Sequence, residues 1–541
     1  MLYFIPGWYA DGAWQEQEQY WHTRRMHTEF DDTVKHIQLF HRNRICPFQI
    51  ALLSFAPNFR HFLHRQGVFH APYWSCFDAI QGIERKKMAL LSYHNLKWPE
   101  GTEFLYSMFA VLAMRGGEKY AKVEFGEDGN PIEIELYENG QTVRKNLYDD
   151  RGFVSGTIVY RDGKPSYRDY LGEDGVWRIR LFYSDGRVLV NPRRGSFRLE
   201  HNGRVTMVPF RQERYPGMED LIREVLSAFV EGTGAGDIFC AAAHPIHMPM
   251  LREMLQNRHL VFSLFEERND FHLKEEDVAM LSSAGHLICD STQGKAVLEE
   301  YGQGRLPACT VITPFDTRPD FGISQQMHSQ KILVPVDELD PAVFDELVRA
   351  LGGYLLENRD AQVYLFTRRA TYGLDKTLLE DARSILQNAG FVWQDASEEP
   401  LDLTEEGEQP DDRNMAGRWF AKQCVDELSV TKCLRMQRLV VDFRTVRDVY
   451  LRVIAISMGL PQILRRPSEF VVSGENGVVL EDTAQLSHWL TYYLAELANW
   501  NKAMVAAYEL GKRFDTANQV QRWKGVLNSF EPHSNAVSGN G

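Results

Sequence analysis

Two hydrophobic rhythms divide the chain. Between residues 119 and 210 apolar and polar positions alternate, as in Ile132-Glu133-Ile134-Glu135-Leu136-Tyr137 and Trp177-Arg178-Ile179-Arg180-Leu181-Phe182-Tyr183. Period two puts one face of a strand on a core and leaves the other wet. Turn dipeptides punctuate the segment: Asp128-Gly129, Asn139-Gly140, Asp162-Gly163, Asp174-Gly175, Asp185-Gly186 and Asn202-Gly203, with Asp150-Arg151-Gly152 in the gap, most of them 11 or 12 residues apart. Asx-Gly suits the positive φ of tight hairpin turns. The pattern predicts an antiparallel meander.

On both sides the rhythm changes to short apolar strands separated by helical stretches. His259-Leu260-Val261-Phe262-Ser263-Leu264, His286-Leu287-Ile288-Cys289-Asp290 and Thr310-Val311-Ile312-Thr313-Pro314 follow the meander. The same alternation restarts at Lys331-Ile332-Leu333-Val334-Pro335-Val336 and runs on through 362–366 and 438–442 to a long helical region at 484–514. Strands apolar on both faces, alternating with helices, predict parallel sheets. The fold class expected is α/β, with two Rossmann-type domains and an antiparallel sheet inserted in the first. The expected divisions are 1–118 with 211–320 for the first domain, 119–210 for the insert, 330–515 for the second domain, and 516–541 for a helix end and flexible tail. A junction is expected at 318–329, and a solvated acidic loop at 397–412.

Composition narrows the function classes. The 541 residues are 44% hydrophobic and 25% charged, and the formal net charge is -14. An acidic chain lacks the basic face that duplex binding needs, so no nucleic-acid partner is expected. Seven widely spaced cysteines without a C-x-x-C motif argue against a disulfide framework or a zinc site and fit a reducing compartment. The N-terminus has no basic region before its apolar stretch and reads as a buried first strand. The apolar run at 104–114 is too short for a bilayer. These features predict a soluble, cytoplasmic protein without a transmembrane segment.

Several constellations have bland readings. Glu231-Gly232-Thr233-Gly234-Ala235-Gly236-Asp237 resembles a phosphate loop but precedes a strand where a helix is required, so it reads as a turn closing a helix. His61-x-x-His64 and His244-x-x-His247 lack partners at metal spacing. No Gly-x-Ser-x-Gly elbow or Walker loop occurs. Trp8, Tyr9, Trp14, Tyr20, Trp21, Tyr73 and Trp74 crowd the early chain, and such rings either stack on sugars or fill a core.

Two facing Rossmann domains are the plan of the GT-B glycosyltransferases. Val453-Ile454-Ala455-Ile456-Ser457-Met458-Gly459-Leu460-Pro461 resembles that superfamily's helix followed by Gly-x-Pro, and Ser473-Gly474-Glu475-Asn476-Gly477-Val478-Val479-Leu480 its Asn-Gly-apolar turn. The inserted sheet, and Tyr3-Phe4-Ile5-Pro6-Gly7-Trp8-Tyr9 with Trp14 and Trp21, resemble the family of the first accessory secretory protein of the accessory Sec system. This is a glycosyltransferase-like family concerned with export of serine-rich-repeat glycoproteins.

The resemblance also marks departures. Retaining enzymes of this fold hold two glutamates ahead of Gly-x-Pro, and the matching positions here are Val446 and Ile454. Shifting the frame pairs Asp448 with Ile456, or Asp442 with Tyr450, and restores no acid pair. Where the fold supplies bases for the donor diphosphate, this chain reads Val334-Pro335-Val336-Asp337-Glu338-Leu339-Asp340, three acids that would repel an anion. Arg368 and Arg369 read either as a basic substitute or as a solvated strand end. A remnant cleft would include Arg368, Arg369, Gly459, Pro461, Asn476 and Gly477. The expectation is a non-catalytic component without cofactor or metal. Its partners would be the second and third accessory secretory proteins, the accessory SecA motor and the glycoprotein substrate, whose GlcNAc-modified repeats it would bind. An active glycosyltransferase and a pure protein scaffold are the alternatives.

Overall fold

The structure is a computed structural model. It describes every residue except 11, 16–29, 202, 270–272, 395–413, 446–447 and 532–541. The expected acidic loop and the end of the tail therefore lie outside the described residues.

Strands β1 (Leu2–Ile5), β2 (Phe48–Leu52) and β3 (Tyr73–Ser75) begin a parallel sheet. The chain then leaves it for a long antiparallel excursion through β4 (Thr102–Tyr106), β5 (Val111–Arg115), β6 (Glu118–Phe125), β7 (Pro131–Glu138), β8 (Gln141–Asp149), β9 (Phe153–Arg161), β10 (Lys164–Leu171), β11 (Trp177–Phe182) and β12 (Val188–Val190). A separate hairpin, β13 (Ser196–His201) and β14 (Arg204–Pro209), interrupts the excursion, and β15 (Arg214–Tyr215) rejoins it beside β12. The first sheet is completed by β16 (Ile238–Ala242), β17 (His259–Leu264), β18 (His286–Cys289) and β19 (Cys309–Val311). Its order is β19-β18-β17-β16-β1-β2-β3. Alternate residues of β1 serve opposite faces: Tyr3 and Ile5 join one core cluster, Leu2 and Phe4 another. That two-sided burial is why the strand is apolar throughout.

The ten-stranded antiparallel sheet starts at Thr102, earlier than the expected 119. Its first two turns do not use Asx-Gly. In one, the Ser107 hydroxyl donates to Ala110 O (2.7 Å) and accepts from Ala110 N (3.0 Å). The other is Gly116-Gly117, both at positive φ. The sheet also extends past 210 to Tyr215, while β13 and β14 form a pair of their own.

The second parallel sheet contains β20 (Gln330–Pro335), β21 (Ala361–Thr367), β22 (Trp419–Gln423), β23 (Leu439–Asp442), β24 (Gln462–Leu464) and β25 (Gly477–Val479), in the order β22-β21-β20-β23-β24-β25. Both parallel sheets therefore reverse direction beside their first strand. The crevice outside the carboxyl ends at such a switch point is where α/β sheets bind ligands. A shared core cluster joins the two halves, with Phe30, Phe265 and Phe315 packed among Tyr450, Leu451 and Val453.

The described part of the segment after 515 packs on the first sheet. The helix Thr516–Asn528 buries Trp523 completely, edge-on to Phe4 and Phe40 with centroids at 6.0 and 4.9 Å. Its one apolar stripe needs a core to cover it, and helices of the first half already present one.

Candidate functional site

The two switch points, at the ends of β1 and β16 in one half and of β20 and β23 in the other, frame the candidate site. Among the described residues, charged side chains of the chain itself pair with one another there. At the end of β23, Asp442 is buried and accepts from Arg444 through N (3.0 Å), Nε (3.0 Å) and Nη2 (2.8 Å), and from Arg452 Nη2 (2.7 Å). Burial alone would raise the Asp442 carboxyl, but Arg444 and Arg452 hold it below the usual carboxylate range. Asp448 caps the helix Val449–Ser457 by accepting from Leu451 N (3.0 Å), and its other oxygen lies 3.6 Å from Arg444.

Arg368, at the end of β21, closes the gap between halves. Its Nη1 lies 3.1 Å from Glu267 of the first half and 3.3 Å from Asp448. Its guanidinium sits 3.9 Å from the centroid of the Phe30 ring, which in turn meets Tyr450 edge-on at 4.8 Å. Only 17% of the Arg368 side chain is exposed, so it is no solvated strand end. Burial pushes Glu267 up to about 7 against the pull of Arg368, and Asp448 adds repulsion. Arg369 is 57% exposed and reaches Asp337 and Glu338 only at 3.8 and 3.7 Å.

Further bonds cross between the halves. Lys35 pairs with Glu427, and Glu469 accepts from Thr292 N (2.9 Å) at the start of the helix Thr292–Gly302. In the first half Arg268 forks onto Asp31 (2.9 Å) and Asp32 (2.6 and 3.1 Å). Burial opposes ionisation of Asp32, yet Arg268 holds it down to about 2. A cavity beside Ser291, Thr292, Arg444 and Arg452 measures 20 Å³. That is about the space of one water, against about 300–1,000 Å³ for a ligand site.

The three acids after β20 also have local roles. Asp337 accepts from the Thr367 hydroxyl and from Arg368 N (2.7 Å). Asp340 caps the helix Pro341–Glu357, and Glu338 is exposed at φ 59°. Ile454 is half-buried against the shared core, and Val446 lies outside the described residues. Gly459 ends its helix at φ 69°, and Pro461 leads into β24, accepting at its carbonyl from Val440 N (3.1 Å). Asn476 is buried, accepting from Val472 N (2.7 Å) and donating to Phe470 O (2.9 Å). A Cβ on Gly477 would stand 2.2 Å from Gln462 O, so only glycine lets β25 pair with β24. These residues build turns, and their side chains are not presented to the crevice as a set.

Among the other sequence candidates, the loop after Glu231 closes its helix, with Gly232 N donating to Phe229 O (3.1 Å). His247 is held by Tyr9 Oη (2.8 Å) and Ala242 O (2.6 Å). No cluster suited to a metal ion occurs among the described residues, and no helix there is long and apolar enough to cross a membrane. Sequence reasoning missed Glu267 and Phe30, because nothing local marks them as partners of an arginine so distant along the chain.

A family model describing the accessory Sec system protein that comes first among the accessory secretory proteins matches residues 1–529. A Streptococcus gordonii protein of the same description is 32% identical over 539 residues, covering 97% of this chain and 98% of its own. The chain belongs to this family. Membership carries a role in accessory Sec export. The solved structure of accessory secretory proteins 1, 2 and 3 from Streptococcus pneumoniae is similar to the chain at 26% identity and TM-score 0.78, covering 98% of both. The pneumococcal O-GlcNAc transferase GtfA, at 13% identity and TM-score 0.68 over 98% of this chain and 99% of that one, shares the GT-B fold.

Proposed function

We propose that this chain is a non-catalytic, glycosyltransferase-like member of the export complex. In this reading it assembles in the cytoplasm with the second and third accessory secretory proteins and works beside the accessory SecA motor. Its cargo is a serine-rich-repeat glycoprotein, whose GlcNAc-modified repeats it recognises. Its two Rossmann-type domains, divided at about the junction after β19, act as one scaffold, and the inserted sheet serves as a docking platform. Edge strand β4 ends in exposed Tyr106, followed by exposed Met108 and Phe109, and unpaired strand edges invite partner strands.

The observation that carries the reading is the internally paired crevice. Three buried cations of the crevice, Arg368, Arg444 and Arg452, are already engaged by Glu267, Asp448 and Asp442. The solved complex of three accessory secretory proteins from a relative supports the choice of partners.

Deleting the gene from a strain that makes such a glycoprotein separates the readings. A scaffold leaves the glycoprotein glycosylated but retained in the cell. A retained protein lacking sugar would support an active transferase and contradict the proposal.

A further inference from the structure

A second opening lies away from the crevice, at the amino ends of β1, β2 and β3, where the β13–β14 hairpin folds over the sheet edge. It measures 440 Å³, within the range of about 300–1,000 Å³ typical of small-molecule sites. Tyr3, Tyr73 and Trp74 line its apolar side. Trp74 is fixed by stacking on Phe229, with ring centroids 4.0 Å apart and planes at 15°.

The charges around this cavity neutralise one another. Arg151 forks onto Asp78 at 2.8 and 2.9 Å. Lys86 and Arg198 both hold Glu200, at 2.9 and 3.0 Å. The indole Nε1–H of Trp74, the Nε–H of Arg198 and the ring Nε2 of His201 are buried without a hydrogen-bond partner among the described residues, and all three side chains line the cavity. Each such group costs about 1–3 kcal/mol unless a ligand or water satisfies it.

A free anion would find every neighbouring cation already paired with a carboxylate. A cation would meet the positive charges of Lys86, Arg151 and Arg198. Hydroxyl groups fit better, because each can accept from the charged donors that line the cavity and donate onward to Glu200 or Asp78, while the apolar edge of a pyranose lies against aromatic rings. We propose that this cavity at the β3 edge binds a neutral saccharide unit. The inference rests on the glycan recognition proposed above and moves it out of the crevice between the halves.

The test uses the full chain carrying 5-fluorotryptophan, with the Trp74 fluorine signal identified by its loss in Trp74→Phe. The probes are N-acetylglucosamine, N,N′-diacetylchitobiose, sodium phosphate and sodium acetate. The expected result is a saturable shift of the Trp74 signal with the sugars and none with the salts. Arg198→Lys should weaken sugar binding about tenfold, and Arg369→Gln, in the other half, should leave it unchanged. No shift with either sugar, a shift with the salts alone, or binding lost in Arg369→Gln but kept in Arg198→Lys would overturn the inference. Export is read separately. Sugar binding at Trp74 together with normal glycoprotein secretion by a Trp74→Phe strain would uphold the site and contradict its part in export.

Discussion

Replacing Asp442 by Asn should destabilise the second half of the molecule far more than an isosteric change ordinarily does. The shape is kept and one negative charge is lost. Arg444 and Arg452, 3% and 8% exposed at their side chains, would then face an amide, part of which can only donate toward guanidinium groups that also only donate. Asp448, 3.6 Å from Arg444, is already shared with Arg368 and cannot compensate both cations. Breaking a buried ion pair from one side typically costs about 3–5 kcal/mol. Urea unfolding followed by tryptophan fluorescence checks this, since Trp500 is buried in the same half and donates to Arg438 O (2.7 Å) beside β23. A chain of this size need not unfold in one step, so the quantity to compare is the midpoint of the transition that reports Trp500. An unchanged midpoint, or a cost below about 1 kcal/mol, would refute the view that this network is a closed, mutually dependent plug.

Glu267 gives a pH signature. Its folded carboxyl titrates near 7, above the ordinary value of 4.5, so the folded state holds the proton more tightly. That contribution is fully present below the unfolded value and is lost as pH rises through about 7. Glu267→Gln should flatten the stability change between those two values and leave the variant relatively more stable at alkaline pH; a midpoint tracking the parent across that window would contradict the assignment. Trp523→Ala should cost about 3–5 kcal/mol, because the fully buried ring ties the C-terminal helix to Phe4 and Phe40. Limited proteolysis should then release that helix first, and resistance equal to the parent would show that the helix is held by other means.

Much of this architecture could be read from local pattern, and the exceptions have physical causes. Asx-Gly turns announced β7 to β12 because those dipeptides are selected by backbone conformation alone. The turns around β4 and β5 were missed because a serine hydroxyl and a Gly-Gly pair do the same work. The return of the helix Thr516–Asn528 to the first sheet was invisible because amphipathic periodicity says that a face is buried, not against what. In the crevice, the absence of acid at Ile454 could be read from spacing. The capture of Arg368 by Glu267 and Phe30 could not, since it depends on how two distant halves meet. Tyr73 and Trp74 were visible as aromatics, but the unsatisfied indole and guanidinium donors exist only once the β13–β14 hairpin folds over them.

The central claim, a crevice closed to sugar nucleotides, is tested most directly by calorimetric titration of the purified protein with UDP-GlcNAc and UDP-glucose, alongside an assay for donor turnover. No heat of binding and no turnover are expected, because Arg368, Arg444 and Arg452 are already engaged by Glu267, Asp448 and Asp442. Saturable binding with release of UDP would contradict the account and require the two halves to open around a donor.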